Sequence, residues 1–214
     1  MKIFLDTADM DEIKKYAHLI DGVTTNPTLM KKAGLDATEG NYQKICRLVK
    51  GPVSLECMAT GTEGIVKEAR ELASYAKNAV VKIPITYEGL LAVKKLKKRG
   101  VKANVTLVFS VHQALLAAKA GAAYVSPFVG RLDDKGEDGM KVAEEICSVY
   151  RNYKFKTDVI VASIRSLEHI RRAALAGAGI ITVPPNVLEQ MMQHDLTKAG
   201  IEKFLEDYKA LNKR

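Results

Sequence analysis

Short runs of β-branched and apolar residues alternate along this chain with longer amphipathic stretches. The short runs predict eight strands, at residues 2–5, 22–25, 53–57, 79–83, 102–108, 122–126, 159–162 and 180–183. The longer stretches predict helices near residues 9–18, 40–49, 63–77, 87–99, 110–120, 137–151, 166–176 and 187–193, then a polar helix at about 197–211. Such regular alternation of strand and helix is typical of an α/β protein with a parallel sheet.

The number of strands favours a closed barrel over an open sheet. Eight strand–helix units in 214 residues leave roughly 27 residues for each, which is compact but sufficient for a (β/α)8 barrel. A doubly wound sheet would carry a glycine-rich phosphate turn after its first strand, whereas this strand ends in Asp6-Thr7-Ala8-Asp9. No linker or change of composition divides the chain. We therefore predict a single-domain (β/α)8 barrel over residues 1–214, with an extra C-terminal helix at 196–214.

Composition and charge are those of a globular protein with a basic surface. Apolar residues make up 47% of the chain and charged residues 27%, and the formal net charge is +8. The densest basic run, residues 94–99, follows apolar positions of a predicted helix and is interpreted as its solvated outer face. A nucleic-acid site would combine cations with aromatic residues or a known binding module. We therefore expect no nucleic-acid partner.

Other classes of protein are disfavoured by spacing and hydropathy. No stretch approaches the ~18 consecutive apolar residues of a membrane-spanning helix, and Asp6 interrupts the place where a signal peptide needs its apolar region. We therefore expect a cytoplasmic protein with no membrane partner. Neither disulfide-framework nor metal-ligand spacing is found among Cys46, Cys57, Cys147, His18, His112, His169 and His194. No metal is predicted, and His112 and His169, after helix-start serines, are expected on the surface.

Polar side chains end seven consecutive predicted strands. In a barrel these carboxyl ends meet at one rim, where barrel enzymes carry their chemistry. The residues are Asp6, Asn26, Glu56, Lys82, Asn104 with Thr106, Ser126 and Ser163. Single positions also have ordinary structural explanations, since Asp6 can cap a helix and Asn26 before Pro27 can belong to a turn. The joint pattern is harder to explain by caps and turns.

Lys82 interrupts an otherwise apolar strand, and it can point either to solvent or into the barrel mouth. Burial in the mouth favours the neutral amine, which can attack a carbonyl and form an imine. Imine chemistry also needs groups that move protons, and Asp6 and Glu56 are candidates, with Glu56 and Thr106 holding a water. Either carboxylate can instead serve only as an ion-pair partner of Lys82.

Two arginines follow later strands and are candidates for binding an anion. Arg131 comes after the sixth strand, and Ser163 and Arg165 follow the seventh, a common phosphate-binding position in barrels. Arginine with a hydroxyl suits a phosphate dianion. The alternative is a set of surface salt bridges, with partners at Asp133, Asp134 and Glu168.

Several strand-end segments together resemble the small transaldolases of the transaldolase and fructose-6-phosphate aldolase family, from Phe4 to the C-terminal helix. The segments are Phe4-Leu5-Asp6-Thr7-Ala8, Val23-Thr24-Thr25-Asn26-Pro27-Thr28, Val80-Val81-Lys82-Ile83-Pro84, Asn104-Val105-Thr106-Leu107-Val108-Phe109-Ser110, Ser126-Pro127-Phe128-Val129-Gly130-Arg131 and Ala162-Ser163-Ile164-Arg165. Each is short, but all occur in the family's order.

The resemblance implies a Schiff-base transaldolase of the non-oxidative pentose phosphate pathway, without metal or organic cofactor. It implies that Lys82 forms the imine, that Asp6 is the acid/base of C–C cleavage, and that sugar phosphates are the substrates. The other implied roles are a catalytic water held by Glu56 and Thr106, a dihydroxyacetone site at Asn26, Asn104 and Ser126, and a phosphate site at Arg131, Ser163 and Arg165.

The resemblance also separates the two activities of the family. In the aldolase branch Gln stands at the place of Glu56, Tyr at that of Phe128, and an apolar residue at that of Asn104; this chain has the transaldolase residue at all three. Fructose-6-phosphate aldolase, releasing free dihydroxyacetone, is kept as one alternative. A non-catalytic basic barrel that binds nucleic acid is the other.

The last predicted helix carries an apolar stripe formed by Ile201, Phe204, Leu205, Tyr208 and Leu211. The stripe must be buried either on the chain's own barrel or on a neighbour. Small transaldolases form rings, commonly paired pentamers, with this helix reaching the adjacent subunit. From that resemblance we expect a homo-oligomer, a pentamer or decamer.

Overall fold

Eight parallel strands close into a barrel in the computed structural model of the chain, which describes residues 1–211. The strands are β1 (Lys2–Asp6), β2 (Gly22–Thr24), β3 (Val53–Glu56), β4 (Ala79–Pro84), β5 (Ala103–Val108), β6 (Tyr124–Pro127), β7 (Asp158–Val161) and β8 (Ile180–Val183). Each pairs with the next in sequence, and β8 pairs with β1 to close the sheet. The predicted (β/α)8 fold is confirmed.

Helices connect the strands on the outside of the barrel. They are α1 (Met10–Tyr16), α2 (Pro27–Lys32), α3 (Glu39–Leu48), α4 (Thr62–Ser74), α5 (Tyr87–Lys97), α6 (Val111–Ala120), α7 (Val129–Asp133), α8 (Gly139–Asn152), α9 (Leu167–Ala176), α10 (Pro185–Gln190) and α11 (Asp195–Leu211). The short helices α2 and α7 were not expected from the sequence. The predicted C-terminal helix begins one residue early, at Asp195, and its predicted residues 212–214 lie outside the described part of the chain. Among residues 1–211, no helix is long and apolar enough to cross a membrane.

Side chains along each strand point alternately outward, under the helices, and inward, into the barrel. The outward residues, such as Leu5, Val81 and Val125, pack under the helices in the main hydrophobic core. On the inward face of the strands, Phe4, Ile160 and Ile180 form a separate apolar cluster. These three residues alternate with outward-facing ones, so they fill the bottom of the barrel.

The upper part of the barrel interior is polar. The next inward positions hold Thr24, Ser54, Lys82, Asn104, Thr106, Ser126 and Thr182, all of which are buried. A shift of register in β5 between Val105 and Val108, with Leu107 in a left-handed conformation (φ 58°), lies directly after Thr106. The fold therefore places an apolar plug below a ring of buried hydroxyl, amide and ammonium groups.

Candidate active site

The predicted site residues come together at the carboxyl ends of the strands. A cavity of about 630 Å³ is lined by Asn26, Glu56, Lys82, Thr106, Phe128 and Arg131, among others. An adjoining cavity of about 230 Å³ is lined by Asp6, Ser126, Ser163 and Arg165, and it shares Asn26, Lys82, Phe128 and Arg131 with the first. Asn104, the remaining predicted residue, is fully buried and reaches the site through Ser126.

Lys82 points into the barrel and not to solvent, with 4% of its surface exposed. The parallel register places Glu56 of β3 directly opposite Lys82 of β4. The lysine Nζ lies 2.9 Å from Glu56 Oε2 and donates a hydrogen bond of 3.0 Å to the carbonyl oxygen of Thr25. An amine with a carboxylate in hydrogen-bond reach has the arrangement of a nucleophile beside its base.

Asp6 ends β1 across the barrel mouth and does not cap the following helix, since Asp9 is the N-cap of α1. Its Oδ1 accepts a hydrogen bond of 2.6 Å from the hydroxyl of Thr24, a partner that our sequence reasoning missed. Burial raises the pKa of the Asp6 carboxyl, while the Thr24 hydrogen bond and the charge of Lys82 oppose that rise. Asp6 is therefore a buried carboxyl group that can exchange a proton with a molecule bound in the cavity.

Polar side chains of β6, β5 and β3 form a hydrogen-bonded series beside Lys82, whose strand β4 lies between β5 and β3. The Ser126 hydroxyl donates to Asn104 Oδ1 at 2.8 Å, and Asn104 Nδ2 donates to the Ser54 hydroxyl at 3.2 Å. Ser54 was not predicted, although it lies two residues before Glu56 and so shares its face of β3. This series fixes the Ser126 hydroxyl, which borders the smaller cavity.

Thr106 lies inward on β5, with its neighbour Pro84 on β4. Its hydroxyl oxygen is buried and has no hydrogen-bond partner among the described protein atoms. A buried hydroxyl costs free energy unless something bonds it. This hydroxyl, in the same cavity wall as Glu56 and Lys82, can therefore bond a substrate atom or a water there.

Asn26 combines a structural and a potential binding function. It is the N-cap of α2, where its Oδ1 accepts a hydrogen bond of 2.9 Å from the backbone N–H of Leu29. The structural role of Asn26 is therefore that of a helix cap, whereas the sequence had suggested a turn residue. The side chain also borders both cavities, so its amide nitrogen is available to a ligand.

The predicted phosphate residues follow strands β6 and β7 and border the smaller cavity. Arg131, in α7, places its guanidinium carbon 5.2 Å from the ring centre of Phe128 and forms no salt bridge within residues 1–211. Arg165 does form the surface pair that the sequence left open, donating two hydrogen bonds to Asp134, one of 2.6 Å between Nη2 and Oδ2. Ser163 has a left-handed backbone with φ of 60°.

His169 differs from the expected surface histidine. It lies in the first turn of α9, as predicted, and Ser166 caps that helix. Its side chain is only 15% exposed, because Nε2 pairs with Asp133 at 3.0 Å and Nδ1 accepts from the backbone N–H of Arg165 at 3.4 Å. The segment preceding α9 thus folds over the imidazole, which sequence spacing alone did not indicate.

The cysteines are all buried free thiols, and burial raises the pKa of Cys57, beside Glu56, to about 12. Within residues 1–211, no three side chains of the His, Cys, Asp and Glu types are grouped as a metal site. The ionisable groups nearest to the Lys82 amine in the two cavities include the carboxyl groups of Glu56 and Asp6.

The sequence is similar over its whole length to proteins of one known family. The sequence matches, over residues 3–214, the family described as Transaldolase/Fructose-6-phosphate aldolase. It is 55% identical to a protein named probable transaldolase from Methanococcus maripaludis (strain C6), with both chains covered completely. It is 54% identical to another, also named probable transaldolase, from Methanococcus vannielii, again over the whole of both chains.

Proposed function

Because the chain belongs to the transaldolase/fructose-6-phosphate aldolase family and its relatives' names support an enzyme of transaldolase type, we propose that it transfers a dihydroxyacetone unit between sugar phosphates. The reaction is sedoheptulose 7-phosphate plus glyceraldehyde 3-phosphate giving erythrose 4-phosphate plus fructose 6-phosphate. The observation that carries the proposal is the buried Lys82 ammonium, 2.9 Å from Glu56 in the mouth of the barrel.

The first step forms an imine on Lys82. Glu56 takes a proton from the lysine, and the neutral Nζ attacks C2 of the ketose phosphate, giving a carbinolamine. Loss of water from C2 then leaves a protonated imine. Glu56 and the unpartnered hydroxyl of Thr106 border the same cavity, so they can hold the water that carries protons in this step.

The second step breaks the C3–C4 bond. Asp6 accepts the proton of the C4 hydroxyl, C4 becomes the aldehyde of the departing aldose phosphate, and the bonding electrons move into the imine to give an enamine. The protonated imine nitrogen is the electron sink, so the step needs no other group. The acceptor aldehyde then reacts by the reverse sequence, and Asp6 returns the proton.

Binding of the phosphorylated substrates is assigned to the side of the cavity formed by Arg131, Ser163 and Arg165. The exposed pair of Arg165 with Asp134 contributes only about 0–1 kcal/mol, so a phosphate dianion can displace it. Asn26 and Ser126 border the cavity near Lys82, and Asn104 supports Ser126. We assign these three to the dihydroxyacetone unit.

Transfer is favoured over release by the side chain above Lys82. The ring centre of Phe128 is 6.0 Å from Lys82 Nζ and carries no hydroxyl. A phenol there would give a bound water a proton-transfer partner, which would favour protonation of the enamine and release of free dihydroxyacetone. The phenyl ring withholds that partner, so the enamine lasts until an acceptor arrives.

The test supplies fructose 6-phosphate with and without erythrose 4-phosphate. We expect sedoheptulose 7-phosphate only when the acceptor is present, and little free dihydroxyacetone without it. Rapid release of dihydroxyacetone without acceptor would identify an aldolase instead. No reaction of the sugar phosphates, together with salt-sensitive binding of nucleic acid, would support the non-catalytic alternative.

A further inference from the structure

Asp6 does not stand alone at the end of its strand, because a pair of buried hydroxyl groups lies behind it. Thr24 Oγ1 is 2.6 Å from Asp6 Oδ1 and also 2.6 Å from Thr182 Oγ1. The three residues are on three adjacent strands, β1, β2 and β8, and both threonines are buried. Neither threonine has a role in the steps described above.

Each threonine hydroxyl carries one proton, and this fixes which group donates in each of the two hydrogen bonds. Thr24 has a single hydroxyl proton, and the structure assigns it to Asp6 Oδ1. The contact between the two threonines must then use the proton of Thr182, with the Thr24 oxygen as acceptor. The hydrogen bonds run from Thr182 to Thr24 to Asp6 and end on the carboxylate. Bonds in such a chain strengthen one another, and those that end on a charge are the strong ones.

On this basis, and resting on the proposed function, we propose that Thr24 and Thr182 are positioning residues for C–C cleavage. They hold Asp6 Oδ1 as a hydrogen-bond acceptor, so the proton of the substrate's C4 hydroxyl is taken by Oδ2. They also supply to the buried carboxylate the hydrogen bond that water would otherwise give. Thr24 acts on Asp6 directly, and Thr182 acts through Thr24.

The pH dependence of cleavage reports the protonation of Asp6. It would not change if the two threonines only supported the fold. Burial raises the pKa of Asp6, and the Thr24 hydrogen bond opposes that rise. Cleavage needs ionised Asp6, so its rate falls as the pH drops and the carboxylate is protonated. Removing the Thr24 hydroxyl takes away one opposing influence, so the acid limb of the cleavage rate must move to higher pH.

Other charged groups also face Asp6, and they are the same in the unchanged protein and in variants of Thr24 or Thr182. The cations that border its cavities are Lys32, Lys82, Arg131 and Arg165. The remaining titratable groups are Asp9, Glu12, Tyr16 and Glu189. All of them stay in place when only Thr24 or Thr182 is changed, so a difference between variants reports the hydroxyl pair.

The experiment compares Thr24→Val, Thr24→Ser, Thr182→Val and Thr182→Ser with the unchanged protein. Valine keeps the shape and removes the hydroxyl, whereas serine keeps the hydroxyl. Glyceraldehyde 3-phosphate released from fructose 6-phosphate in a single turnover is measured against pH. At each pH it is divided by the fraction of Lys82 that borohydride traps as imine.

We expect Thr24→Val to cleave roughly tenfold to a hundredfold more slowly, the effect of losing a hydrogen bond to a charged group. Its acid limb should move to higher pH. Thr182→Val should shift the limb in the same direction by less, and both serine variants should retain the original profile. Should Thr24→Val fail to fold, Thr182→Val decides by the same measurement.

An acid limb that stays in place in the folded valine variants overturns the role of the hydroxyl pair and leaves the proposed function standing. Serine variants as impaired as the valine variants overturn it as well. An unchanged protein that forms no imine with fructose 6-phosphate contradicts the proposed function itself, so the two failures are distinguishable.

Discussion

Lys82 and Glu56 place two opposite charges inside the barrel, where burial is costly for each alone. Their contact of 2.9 Å and the Thr25 carbonyl satisfy the ammonium. Replacing a buried ion pair by apolar residues is often neutral or stabilising. Stability alone therefore does not explain this pair, and we attribute it to a role in the reaction. The fold holds it above the apolar plug.

The residue that we expect to decide between transfer and release is Phe128. Phe128→Tyr should raise the ratio of free dihydroxyacetone to transferred product by roughly tenfold, part of the ~10²–10⁴ that a placed proton-transfer group can contribute. The ratio is measured from fructose 6-phosphate with a limiting acceptor. Phe109→Tyr is a matched control, because Phe109 packs edge-on against Phe128 with ring centres 6.1 Å apart and does not border the cavities. An unchanged ratio in Phe128→Tyr would show that this ring does not control the outcome.

Single residues differ in how far the sequence could predict them. A lysine within an apolar strand, as at Lys82, is visible in the sequence because burial of an ammonium needs a reason. The partners Thr24 and Thr182 were not identified, because they meet only after β2 and β8 have paired with the two sides of β1. The imidazole of His169 was misjudged for a similar reason, since Asp133 comes from another helix.

At the scale of elements, the loop and short helix after β6 shape the predicted phosphate side. Gly130, in α7, donates its backbone N–H to the carbonyl oxygen of Ser163 at 3.1 Å. A Cβ at this position would overlap with that same oxygen and lie 2.7 Å from Arg165 Nε. Only glycine lets α7 approach the segment after β7 this closely.

Gly130→Ala should therefore destabilise the protein by about 1–3 kcal/mol, as overpacking does. It should also raise the KM for phosphorylated donors, because Arg165 must move. Denaturant unfolding and steady-state kinetics measure the two effects. Gly40→Ala is the control, since a Cβ there meets nothing within 4 Å and its position in α3 favours alanine by up to ~1 kcal/mol. Equal stability changes in the two variants would contradict the close approach.

The long helices and strands could be predicted because their periodic patterns extend over several turns or pairs. The six-residue helix α2 and the five-residue helix α7 were missed, although α10, which also has six residues, was expected; so short a repeat is an unreliable signal. The positions of α2 and α7 depend on tertiary contacts, such as the cap at Asn26 and the contact of Gly130 with Ser163. The site was predictable to the extent that it follows from strand ends.

At the scale of the whole molecule, α11 leaves its apolar stripe uncovered. None of its residues is buried, and Phe204 is 75% exposed. The stripe also contains Ile201, Leu205, Tyr208 and Leu211. If α11 packed this stripe against its own barrel, the apolar side chains would be buried, and they are not. An exposed apolar stripe of this kind marks an interaction surface.

We propose that this helix packs on a second copy of the chain, in a pentamer or decamer. Size-exclusion chromatography with light scattering should give a homo-oligomer at micromolar concentration, and a variant truncated after Asp195 should give smaller species. Phe204→Ser combined with Tyr208→Ser should weaken the assembly without changing the barrel. A monomeric full-length chain, or an unchanged assembly after truncation, would contradict the proposal.

The central claim is that Lys82 forms an imine with a ketose phosphate, and borohydride trapping tests it most directly. The protein is reduced in the presence of fructose 6-phosphate, digested and analysed by mass spectrometry. We predict a secondary amine on Lys82 that carries the hexose phosphate or its dihydroxyacetone part, absent in Lys82→Arg and retained in the exposed-lysine control Lys102→Arg. An adduct on any other lysine, or turnover of the sugar phosphates with no adduct on Lys82, would contradict it.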